Sequence, residues 1–65
     1  MDGRKLLMYA LMGANHAIDT AMENYKVAWR TGNTAQEKAW NERLGILYGE
    51  REIIKAEIAK LDGRT

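Results

Sequence analysis

One interruption, Thr31-Gly32-Asn33-Thr34, sits almost at the midpoint of a 65-residue chain that contains no proline. Proline is the residue that most forcibly breaks a helix, so nothing else in the chain imposes a break by that route. Gly32 suits the left-handed position that closes a helix, and Lys26 and Arg30 stand where positive charge favours a helix C-terminus. Asn33 or Thr34 can cap a second helix. Thr34-Ala35-Gln36-Glu37 has the pattern of a capping box, in which hydroxyl and carboxylate satisfy two orphan amide hydrogens. The next stop signal is Leu61-Asp62-Gly63. The reading is a single domain over residues 1–65: helix 1 about 3–31, a turn at 32–33, and helix 2 about 34–62.

Apolar spacing supports both helices. Leu7, Leu11, Ala14, Ile18, Ala21, Tyr25 and Ala28 keep a 4-3-4-3 rhythm, and Trp40, Leu44, Leu47, Ile54, Ile58 and Leu61 keep the same rhythm with Arg51 in the remaining slot. Such a seam is of the coiled-coil kind. A short connection makes the two helices antiparallel neighbours, and folding about the turn sets residue i against residue 65 − i. The expected fold is therefore all-α, an antiparallel two-helix hairpin.

A hairpin needs only one apolar stripe per helix, and this chain has more. Met8, Met12 and Met22 run beside the first seam, while Ile46 and Ile53 lie beside the second. So short a chain builds a marginal core, and with no cysteine it cannot add a disulfide or a thiolate metal site. Self-association into a dimeric four-helix bundle is the expected remedy, with Met8, Met12, Met22, Ile46, Gly49 and Ile53 at the contact. Gly45 and Gly49, one turn apart inside a helix, fit a close approach by a neighbouring backbone, since glycine there is otherwise costly.

The middle of the hairpin is polar. Asn15, His16 and Asp19 come opposite Glu50 and Arg51, and a hydrogen-bonded layer with Arg51 paired to a carboxylate would fix register and partner choice. The same imidazole and carboxylates could hold a metal or serve acid–base chemistry. With one histidine and no glycine-rich loop or activated nucleophile, an enzyme is not expected. No cofactor or metal is expected either. At the turn end Trp29, Arg30, Lys38 and Arg43 combine an aromatic ring with cations, a composition enriched in protein-binding hot spots. With Lys26 they could instead bind nucleic acid through stacking and phosphate contacts.

Ten basic and nine acidic residues leave a net charge of +1, which disfavours both a polybasic nucleic-acid binder and an acidic mimic. The apolar run from Leu6 to Met12 is too short to span a bilayer. It follows Arg4-Lys5 as a signal peptide would, but Asn15, His16 and Asp19 continue the helical period, and a cytoplasmic location is expected. In shape and length the architecture resembles plasmid copy-number regulators that dimerise and bind RNA loops, small type III secretion chaperones, and short phage proteins. That resemblance carries no motif, so no residue role follows from it. The expected function is a small non-enzymatic interaction module that self-associates and binds or inhibits a partner protein, as accessory and phage regulators do. A nucleic-acid-binding hairpin dimer is the alternative.

Overall fold

The computed structural model describes residues 3–63. Two α-helices, α1 (Gly3–Arg30) and α2 (Thr34–Leu61), lie against each other, and there is no strand among the described residues. Each has 28 residues, ending one residue before the sequence-based limits.

The turn is compact because Asn33 serves both helices. Its N–H donates to Ala28 O (2.9 Å) and the Gly32 N–H donates to Trp29 O (3.2 Å), which closes α1 in a Schellman motif. Gly32 sits at φ +70°, the left-handed conformation this closure requires. Asn33 then opens α2: its carbonyl accepts from the Glu37 N–H (2.9 Å), and its side-chain Oδ1 accepts from the Gln36 N–H (3.1 Å). Thr34 is thereby the first helical residue, so the expected Thr34–Glu37 capping box does not open the helix. The Thr31 hydroxyl donates to Val27 O at 2.9 Å, a second bond to a carbonyl that already accepts the Thr31 N–H. At the far end Gly63 takes φ +73° and its N–H donates to Lys60 O.

The two seams meet. Ile18, Ala21 and Leu47 form the core, with Ala17, Trp40 and Leu44 packed against it. Ile18 beside Leu47, Asn15 with Arg51 and Arg4 with Asp62 all fall within one residue of the expected i with 65 − i pairing. Along α1 each seam position from Leu7 to Ala28 is at least half-covered; along α2 the same is true from Trp40 to Ile58, whereas Leu61 is exposed. The molecule measures 47 × 19 × 13 Å.

Among the described residues only Ile18, Ala21, Ala28 and Leu47 are buried. Two helices can cover one stripe each and no more. Trp29, Ile53, Met12 and Ile46 keep between 63% and 65% of their surface exposed. The apolar surplus read from the sequence is therefore real surface.

Candidate interaction surfaces

An antiparallel hairpin has two broad faces. At 3.6 residues per turn, the residues next to the seam fall in two columns per helix: those following Leu7, Ala14, Ala21 and Ala28, or Trp40, Leu47, Ile54 and Leu61, lean to one face, and those preceding the alternate seam positions lean to the other. The following columns are Met8, Asn15, Met22 and Trp29 on α1, and Asn41, Tyr48, Lys55 and Asp62 on α2. The cross-helix side-chain contacts place them together. The Tyr48 hydroxyl lies 3.8 Å from Met22 Sδ, and Arg4 Nε is 2.7 Å from an Asp62 carboxylate oxygen. An open groove of about 390 Å³ runs between Met8, Leu11, Lys55, Ile58, Ala59 and Asp62 on this methionine face.

The preceding columns differ in kind. On α1 they are Ala10, Ala17, Asn24 and Thr31; on α2 they are Gln36, Arg43, Glu50 and Glu57. Ile46 and Ile53 lie further round α2, away from α1. Ile46 shares a groove of about 370 Å³ with Gln36, Ala39, Trp40, Glu42 and Arg43. The residues expected to mediate self-association thus divide. Met8, Met12 and Met22 belong to the methionine side, whereas Ile46 and Ile53 belong to the opposite flank. Gly45 and Gly49 point to open space, where an added Cβ would have no neighbour within 4 Å. The crossing of α1 over α2 therefore does not use them.

The central layer is assembled from Asn15, Tyr48 and Arg51. The Arg51 guanidinium donates to Asn15 Oδ1 at 3.5 Å and lies 5.1 Å from the centroid of the Tyr48 ring. Its Nε is buried without an acceptor. No carboxylate pairs with Arg51 among the described residues, contrary to the sequence expectation, because Glu50 and Glu52 turn away on either side of it. Glu52 instead pairs locally with Lys55 at 3.7 Å. His16 and Asp19 are exposed on α1. Among the described residues no three histidine, aspartate or glutamate side chains gather as a metal site, so His16, Asp19 and Glu50 do not form one.

At the turn end the basic residues are spread around the hairpin. Lys26 is 3.9 Å from Glu23. Lys38 shares a groove with Tyr25, Thr34, Glu37 and Asn41, whereas Arg43 lies on the side of Ile46. Trp29 stands on the methionine face. Trp29, Arg30, Lys38 and Arg43 are all exposed, but they do not form one patch. Tyr48, which sequence reasoning passes over, completes the methionine face, and its position directly after Leu47 is the signal that marks it.

No helix among the described residues is long and apolar enough to cross a membrane. Comparison of the chain with family models, curated proteins and solved structures finds no match.

Proposed function

We propose that this chain is a small non-enzymatic interaction module, a helical hairpin that self-associates into a dimeric four-helix bundle and binds or inhibits a partner protein. The observation that carries this reading is the exposure of large apolar side chains on both sides of a core that contains only four buried residues among those described. Leucine, methionine, tryptophan and isoleucine left in water forgo roughly 1.5–3 kcal/mol each relative to full burial. Covering them with a second helical layer recovers part of that. The seams are already occupied by each other, and in this reading a second copy supplies the extra layer.

Sedimentation equilibrium over a wide concentration range tests the self-association. A dimer is expected, and a mass that stays at 7.4 kDa throughout would overturn it. The partner-binding half predicts capture of a protein through surface left exposed by the dimer, with Arg30, Lys38 and Arg43 as rim contacts. The alternative of nucleic-acid binding draws on the exposure of those three cations and of Trp29. Salt separates the two: a phosphate-driven complex loses affinity steeply between low and moderate salt, whereas an apolar protein contact changes little.

A further inference from the structure

The excess surface of the hairpin can be sized. A compact monomer of 7.4 kDa exposes about 4,200 Å², while this chain exposes 5017 Å². The difference is about 800 Å², the share one partner contributes to a standard protein–protein interface. The radius of gyration points the same way. It is 14.9 Å, against about 11 Å for a compact domain of this length.

The two faces are unequal candidates for that area. The methionine face sets Met8, Met22 and Trp29 on α1 beside Tyr48 on α2, all directly next to the seam. A helix lying over it would extend the existing core through these four large side chains, with Asn15, Asn41, Lys55 and Asp62 as the polar positions between and beside them. The opposite face has only short side chains next to the seam on α1. On α2 it has Gln36, Arg43, Glu50 and Glu57, which a second copy would have to desolvate. Ile46 and Ile53 lie beyond that charged strip. They flank the outside of α2, too far round to join a layer shared with α1.

A second copy suits the methionine face better than a foreign helix. A two-fold contact uses the same patch on both subunits, so the patch must be self-complementary. Methionine sulfur beside an aromatic ring is a favourable contact within the hairpin and equally between copies, and flexible methionines adapt to each other. The face also carries both charge signs, with Asp19 and Asp62 against Arg51 and Lys55, and the net charge of +1 opposes association only weakly.

Building on the self-association reading, we propose that the second copy packs on the face formed by Met8, Met22, Trp29 and Tyr48, and that the Ile46–Ile53 flank stays free in the dimer. The flank is then the surface left for any further partner.

Paired lysine substitutions in the full chain test the assignment. In sedimentation runs, Met22→Lys is expected to weaken the dimer at least ~30-fold, the effect of a charge in an interface hot spot. Ile53→Lys is expected to change it less than about threefold, as a surface position outside the contact does. Dissociation by Ile53→Lys, or equal weakening by both, would overturn the face assignment. A monomeric wild-type chain would instead remove the self-association beneath it, so the two failures are distinguishable. Should Met22→Lys lose its helical circular dichroism, nitroxide labels decide, because the chain has no cysteine of its own. Labels on Asn15→Cys should lie closer across copies than labels on Ile53→Cys, and the reverse order would refute the proposal.

Discussion

Arg51 occupies a seam slot that an apolar residue would fill better, and Arg51→Leu should stabilise the hairpin. Three contributions set the sign. The arginine leaves Nε buried without an acceptor, at a cost of about 1–3 kcal/mol. Its hydrogen bond to Asn15 is long, at 3.5 Å, and contributes at most about 0.5–1 kcal/mol. Its place over Tyr48 at 5.1 Å adds about 0.5–1 kcal/mol at a half-exposed site. The last two nearly cancel the first. What remains is the packing of leucine between Leu47 and Ile54, about 1–2 kcal/mol for a partly covered slot. The expected gain is therefore ~1–2 kcal/mol, or a rise in Tm of very roughly 4–8 °C per kcal/mol for so small a chain. Urea unfolding followed by circular dichroism measures it, at one fixed protein concentration so that mass action does not enter. Arg51→Ala is the control. It removes the polar head and also the aliphatic stem that packs on the seam, so it should fall well below leucine. A urea midpoint lower for Arg51→Leu than for wild type would refute the reasoning. It would mean that the guanidinium contacts outweigh both the buried Nε and the apolar gain.

The turn yields further expectations. Asn33→Ala removes the side-chain acceptor of the Gln36 N–H and should cost about 0.5–2 kcal/mol in the same urea assay. Gly32→Ala meets no neighbouring atom, so its cost of about 1–2 kcal/mol comes from forcing a Cβ into φ +70°, and the midpoint should fall without a change in helical signal. Arg4→Ala breaks the 2.7 Å pair with Asp62, but both side chains are substantially exposed, so the midpoint should move by less than about 1 kcal/mol.

The hairpin was legible in the sequence because its determinants are local or periodic. Gly32 announces a left-handed residue by its identity, and the 4-3 spacing defines a stripe whether or not the partner helix is known. The faces were less legible. Apolar residues beside a seam look equivalent when each helix is read alone, so Met22 and Ile53 both register as surplus. Only the antiparallel pairing shows that Met22 leans towards Tyr48 while Ile53 leans away from α1. Arg51 illustrates a related limit. The sequence suggests pairing Arg51 with a carboxylate of the central layer, yet Asp19 is exposed on α1 and Glu50, the immediate neighbour of Arg51 on its helix, points about 100° away. The side chain that reaches Arg51 is Asn15, across the seam. Which residue caps α2 was open for a subtler reason. Asn33 and Thr34 both suit the position, and the Schellman closure of α1, which takes the Asn33 N–H, decides between them.

Gly45 and Gly49 separate hairpin stability from partner binding. Glycine inside a helix costs about 1 kcal/mol relative to alanine, and an added Cβ at either position meets nothing within 4 Å. The double substitution Gly45→Ala with Gly49→Ala should therefore raise stability by about 1–2 kcal/mol, and a loss of stability would show that the open space beside these glycines is filled in solution. Their direction makes the result informative about function. An added Cβ at either meets no atom of α1; Gly49 lies on the outside of α2, and Gly45, which follows the seam residue Leu44, lies between that outside and the methionine side. A partner helix laid along the outside of α2 would meet the new methyl groups at its closest approach. Binding should then weaken while the urea midpoint rises, and this opposition of signs cannot arise from damage to the fold. Equal binding by the wild type and the stabilised variant would mean that the glycines serve no close contact.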